Sequence, residues 1–296
     1  MTIKATIIAD SISPTNKRIT TYQLRYPRFI HAELMTHRVF SRNASSSRAI
    51  PVKRLIEDII RDTAMPSHWG KNQPGMQANE ECSEQVMLAN HIDRGLDKLS
   101  SKDAWFAARD RAVEVAEAFH EAGYHKQIVN RLLEPFSHIN VVVTSTEWEN
   151  WFALRAHPDA QPEIRILAEQ MLGRMYASVP MMVRNDEWHL PYVDEEDWDE
   201  IEIQMGPRLA QETARKVSAA RCARVSYKTH EGKRPSIDAD LELFDRLAGG
   251  VPLHASPMEH QATPLYRSDQ TRLQGNFNGW VQFRKMLPNE NARFEI

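Results

Sequence analysis

Only two cysteines, Cys82 and Cys222, occur among 296 residues, far apart and in no CxxC pairing. That scarcity excludes a disulfide framework and a cysteine zinc site, fits a reducing cytoplasm, and leaves both thiols as small buried side chains. No apolar run approaches the roughly 18 residues that a membrane span needs. The opening MTIKATIIADSISP lacks a basic end followed by an apolar stretch, so no targeting segment and no membrane partner are expected. Positive charge is not in excess either: 37 Lys and Arg face 40 Asp and Glu, a net of −3. A nucleic-acid polymer is therefore not expected as partner, because no basic field exists to neutralise its phosphates. A single nucleotide needs only a local arginine cluster.

What is present is an ordinary globular composition, 42% hydrophobic, without repeats or low-complexity tracts. One domain over 1–296 is expected, with an insertion at about 61–105. Residues 3–9 and 19–24 cluster β-branched and aromatic side chains around the turn-like SISPTN, which predicts two antiparallel strands. FIHAELMTHRVF follows Pro27 and predicts a helix entered through a proline, ending in NASSSR. Residues 66–83 are rich in Pro, Gly, Asn and Gln and predict a loop, and helical patterns are expected from about 84 to 123. KQIVNRLLEP predicts a helix, INVVVTST a buried strand, and Ile164, Leu167, Met171 and Met175 a further amphipathic helix. PRLAQETARKVSAARCAR, 207–224, predicts another. The acidic VDEEDWDEIE reads as a solvated loop, and no metal site is expected there. The fold class is mixed α and β.

The densest chemistry is THRVFSRNASSSR, residues 36–48, which gathers His37, Arg38, Arg42 and Arg48 with Ser41, Asn43, Ser45, Ser46 and Ser47. Arginine presents a planar fork that matches phosphate, and hydroxyls fill the remaining acceptor positions on an anion. A solvated serine loop has the same composition.

That segment resembles the signature of the flavin-dependent thymidylate synthases, with His37, Arg38, Ser41, Asn43, Ser46 and Arg48 at the matching places. RYPRFIHAELM upstream, NRLLEP at 130–135 and NWFALRAHPDAQPEI at 150–164 are similar to further segments of that family, in the same order. AARCARVSY at 219–227 and SPMEHQAT at 256–263 resemble its two opening motifs but come last here. The resemblance therefore implies an α+β fold, a mainly antiparallel sheet packed with helices, with segments circularly permuted. Permutation is tolerated where old termini are close and the new break is exposed.

The resemblance implies reductive methylation of dUMP to dTMP with FAD, NADPH and methylenetetrahydrofolate, in a homotetramer. It assigns His37, Arg38, Ser41, Asn43, Asn150 and Ser226 to the flavin. It assigns Glu33, Ser46, Ser47, Arg48, Arg131 and Arg155 to the nucleotide, with Arg48 and Arg131 on phosphate. Arg155, Ser46 and His260 stand at catalytic places, Arg155 where it can stabilise charge developing on the base. Four positions depart from the family pattern: Thr36 for an arginine, Ala44 for a glutamate, Glu33 for a glutamine and Asp159 for a histidine. A carboxylate at 33 can accept from an exocyclic amine, so dCMP and a hydroxymethyl product form one alternative. A non-catalytic nucleotide-binding homologue forms another. GNFNGW near the end of the chain is read as a surface-packed hairpin rather than a loop over the ligand.

Overall fold

The computed structural model describes residues 2–75, 77–89, 95–225, 233–250, 253–288 and 290. The strands are β1 (Lys4–Ile12), β2 (Arg18–Pro27), β3 (Ser41–Ala44), β4 (Val86–Ala89), β5 (Leu96–Leu99), β6 (His138–Ser145), β7 (Met181–Met182), β8 (Ala262–Pro264) and β9 (Trp280–Gln282). The helices are α1 (His31–Leu34), α2 (Val52–Arg61), α3 (Ser101–Glu121), α4 (Lys126–Val129), α5 (Glu149–Arg155), α6 (Pro162–Ala177), α7 (Glu195–Met205), α8 (Pro207–Arg224) and α9 (Ile237–Ala248).

The main sheet has the order β3-β6-β2-β1-β7. Its pairs are antiparallel except for β7, which runs parallel to β1. The expected α+β class, with a mainly antiparallel sheet packed with helices, is what the chain adopts. Because side chains alternate along a strand, β2 and β6 each carry two different rows. Tyr22, Leu24 and Tyr26 pair with Val143, Val141 and Ile139 and pack with Phe40, Trp148, Trp151 and the Ile164–Leu167–Met171 face of α6. The opposite row, Thr21 and Gln23 beside Thr144 and Val142, lies under the C-terminal third: Val142 packs on Tyr192, Cys222 and Val225.

That C-terminal layer is held by ions as well as by apolar contact. Arg221 and its partners Asp197 and Asp240 have fully buried side chains, and Arg221 Nε donates to Asp240 Oδ2 at 2.8 Å. Arg221 also grips both oxygens of Asp197 and the carbonyl of Tyr192. The network joins α7, α8 and α9.

Four sequence expectations are corrected. Helix does not begin at 84: β4 and β5 pair antiparallel, and α3 starts at Ser101, where Ser100 caps it by accepting from the amide of Asp103. The acidic stretch is not a loop, because Asp194 and Asp197 form a reciprocal capping box that opens α7 and puts its carboxylates at the positive end of the helix dipole. FIHAELMTHRVF is shorter than expected, a turn of 3-10 helix and then α1. Cys222 is buried but Cys82 is half-buried. No described helix is long and apolar enough to cross a membrane.

Candidate functional site

β3 is only four residues long and sits at the sheet edge, paired to β6 on one side. Residues just before and along it therefore reach both layers, and the sequence-predicted residues divide between the two faces.

On the α5–α6 face, Arg155 Nε donates to His37 Nε2 at 3.1 Å. The imidazole must present a lone pair there, so His37 is neutral with its proton on Nδ1. Burial pushes its pKa down, and Arg155 and Arg42 push in the same direction. The ring is fixed edge-on against Trp151 (centroids 4.8 Å apart) and stacked near Phe40 (5.7 Å). Arg42 closes the turn from behind, donating to the carbonyls of Met35 and His37, each at 3.0 Å. Thr36, which replaces a family arginine, lies 3.4 Å from the Arg155 guanidinium as an acceptor; an arginine at that place would meet Arg155 with like charge. Glu33 is half-buried nearby, its carboxyl raised by burial against the opposing pull of Arg155, with Glu163 adding to the rise.

The serine turn that follows β3 carries the second group. Ser47 is buried and donates to Glu134 Oε1 at 2.7 Å, while its carbonyl accepts from Asn130 at 2.6 Å. Arg131 pairs with the same Glu134 oxygen at 3.1 Å, and Arg28 lies 3.9 Å from it. Ser46 accepts from the amide of Arg48 at 3.3 Å. Arg38, Ser46 and Arg48 are exposed. Glu134, inside the NRLLEP motif, is the partner that sequence reading passed over.

On the other face stand Ser41, Asn43 and His260. Ser41 and Thr144 are register partners, as are Asn43 and Val142. His260 is fully buried and its Nδ1 lies 2.8 Å from Thr144 Oγ1. Two polar atoms here are buried without a hydrogen-bond partner, Asn43 Oδ1 and His260 Nε2. The hairpin formed by β8 and β9 packs over this face: Asn276 donates to the Val39 carbonyl at 2.8 Å, and Gln282 donates to Ser41 Oγ at 3.2 Å. GNFNGW, expected as a surface-packed hairpin, is instead the turn entering β9, with Phe277 and Trp280 buried in the core, and it lies against the candidate site. Val225 ends α8 with φ of 56°, a left-handed conformation costly for a β-branched residue. Ser226, next in sequence, lies outside the described residues. Asn150 is exposed in the first turn of α5. Among the described residues, no group of three or more His, Cys, Asp or Glu is placed to hold a metal.

The family profile of the thymidylate synthase complementing proteins matches residues 3–181. The chain belongs to that family. No curated protein matches it in sequence. Among solved structures, the thymidylate synthase complementing chain is similar to the UMP/dUMP methylase PolB of Streptomyces cacaoi bound with 5-Br dUMP: 18% identity, 61% of this chain and 91% of that one, TM-score 0.40. It is similar also to thymidylate synthase X of Helicobacter pylori with FAD and dUMP, at 17% identity over 53% of this chain and 67% of that one, TM-score 0.34. The profile ends at Met181, and His189, Cys222, His260 and Gln282, which pack over the Thr21–Thr144–Ser41 face, lie beyond it.

Proposed function

We propose that this chain is a flavin-dependent thymidylate synthase, methylating C5 of dUMP reductively with FAD, NADPH and methylenetetrahydrofolate. The observation that carries the reading is the Arg155–His37 pair at the sheet edge, in the span the family profile matches. A guanidinium oriented by a neutral, buried imidazole keeps its charge and its remaining N–H groups for a ligand.

The residues present fit a flavin. Asn43 Oδ1 and His260 Nε2 are buried polar atoms awaiting partners, and the exposed guanidinium of Arg38 precedes the strand that carries Asn43. Together they offer an acceptor and a ring nitrogen to a heteroaromatic edge and a cation to a pyrophosphate. When bound, the flavin supplies the hydride. Arg155 would stabilise negative charge on the pyrimidine, and Ser46, Ser47, Arg48 and Arg131 would hold the nucleotide phosphate, Arg131 by exchanging Glu134 for it. Glu33 would face the base.

The permuted order is part of the proposal: AARCARVSY and SPMEHQAT, last in sequence, would supply the layer that the family builds first. Packing of Cys222, Val225, His260 and Ala262 on the sheet or on residues at its edge supports it. The homotetramer is supported by exposed Phe29, Met35, Val39 and Leu154 beside the site, apolar area of the kind subunits cover.

The test is mass spectrometry of the nucleotide after incubation with FAD, NADPH, methylenetetrahydrofolate and either dUMP or dCMP. Conversion of dUMP to dTMP supports the reading. A second reading, action on dCMP or a hydroxymethyl product, is favoured by Glu33, half-buried beside Arg155, since a carboxylate can accept from the exocyclic amine of cytosine. Reaction with dCMP alone would select it.

A further inference from the structure

Five side chains form one hydrogen-bonded line across the buried polar face of the sheet. Ser11 Oγ lies 2.8 Å from His189 Nδ1, and His189 Nε2 lies 2.7 Å from Thr21 Oγ1. Thr21 Oγ1 lies 2.7 Å from Thr144 Oγ1, which lies 2.8 Å from His260 Nδ1. All five residues are buried. The line spans β1, β2 and β6 and stops at His260 Nε2, which has no partner. Hydroxyl and imidazole groups in a sheet interior are costly unless each is satisfied, so an open end in an otherwise closed line calls for an explanation.

Proton counting narrows the arrangement. A neutral imidazole has one N–H and one lone pair, and both histidines are held neutral by burial, each pKa pushed down to about 3. If Ser11 donates to His189 Nδ1, then His189 must donate from Nε2 to Thr21, Thr21 to Thr144, and Thr144 to His260 Nδ1. The proton of His260 is then on Nε2. In the reverse order the Ser11 hydroxyl proton needs an acceptor, and no second partner of Ser11 Oγ occurs among the described residues. The forward order moves the one unmatched donor to the end of the line beside Ser41 and Asn43.

We propose that Ser11, His189, Thr21 and Thr144 are positioning residues that fix the tautomer of His260, so that its Nε2–H donates to a ring carbonyl of the bound ligand. A ring carbonyl is chemistry that a flavin and a uracil share. The inference rests on the flavin and nucleotide reading above. It adds a role for His189 and Ser11, the second of which stands three strands from β3 in the sheet.

The experiment is two-bond 1H–15N correlation of the protein labelled with 15N histidine, alone and then with FAD or with dUMP. Wild type is expected to show His260 protonated on Nε2, and FAD or dUMP, whichever carries the carbonyl, is expected to shift that nitrogen. Thr144→Val should leave the His260 tautomer unfixed, with a measurable change in its nitrogen shifts, and weaken binding of that ligand about tenfold, one neutral hydrogen bond, while Thr144→Ser should restore both. Ser11→Ala, a smaller change at the far end, keeps the test decisive should Thr144→Val fail to fold: it should shift the His260 tautomer without touching the ligand. An Nδ1–H tautomer in wild type overturns the proposal, as does a His260 resonance unmoved by Ser11→Ala or by bound ligand. Calorimetry separates the two readings: binding of neither FAD nor dUMP to wild type defeats the functional assignment itself, and the ligand contact with it.

Discussion

Arg155 and His37 are 118 positions apart, yet the guanidinium Nε donates to His37 Nε2 at 3.1 Å. Each constrains the other: the imidazole cannot carry a second proton without losing the bond, and the guanidinium is turned by a group that adds no charge. If Arg155 stabilises charge on the base, Arg155→Ala should lower kcat by a factor of about 10²–10³ and leave the circular dichroism spectrum unchanged. The same change should raise the His37 pKa, because one of the two cations depressing it is gone. Histidine NMR titration beside steady-state kinetics reads both, and full activity in the variant removes Arg155 from the mechanism.

Glu134 holds Ser47 and Arg131 together, and it competes with any anion that Arg131 is to bind. Glu134→Gln should therefore tighten dUMP binding, by about three- to tenfold for relief of one partly exposed ion pair. Isothermal calorimetry with dUMP and with deoxyuridine checks this, since only the phosphorylated ligand should gain.

Stability should depend on pH in a defined direction. His189 and His260 have folded-state pKa values near 3, below the unfolded value of about 6.5. His138 is lowered as well, first by burial and then by Arg25. A lowered histidine pKa means that the unfolded chain binds the extra proton. Stability is thus fully present above about pH 6.5 and falls as the pH drops toward the folded values, by up to about 1.4 kcal/mol per pH unit for each such group. Urea unfolding at pH 7.5, 6 and 5 measures the slope; a midpoint independent of pH would contradict the buried neutral assignment.

The ion cluster under α8 is sensitive to the loss of one member. Asp240→Ala leaves the buried Arg221 guanidinium short of a partner and frees Arg224, a change expected to cost about 3–5 kcal/mol. Chemical denaturation of the variant against wild type checks the value, and a loss below about 1 kcal/mol would show that water reaches Arg221.

The local elements were the legible part of the sequence. Alternation and β-branching located β1, β2 and β6, a 3.6-residue period located α6, and α8 matched its predicted range. The β4–β5 pair escaped because its strands are four residues long and exposed or half-exposed, so no apolar alternation marks them. α7 escaped because charge count was weighed over the Asp194–Asp197 capping spacing, which was visible. Within the candidate site, the arginine and serine motif contained His37 and Arg38, and Arg155 came with the separate segment NWFALRAHPDAQPEI. Nothing local announced Thr21, Thr144 and His189, which are ordinary residues until a sheet brings them together over separations of 123 and 168 positions.

The order in which the chain leaves the ribosome sets a further condition. All strands of the main sheet, β7 included, are synthesised by Met182, whereas the side chains that close its polar face arrive with His189, Cys222, His260 and Gln282. A nascent chain that has finished its sheet thus presents Thr21, Thr144 and Ser41 to water and Val142 to any passing apolar surface for the time taken to add a further hundred or so residues. Strand interiors uncovered on one side are aggregation-prone. The residues made after Met182 therefore decide both when the polar face is closed and how long the growing polypeptide depends on chaperone cover.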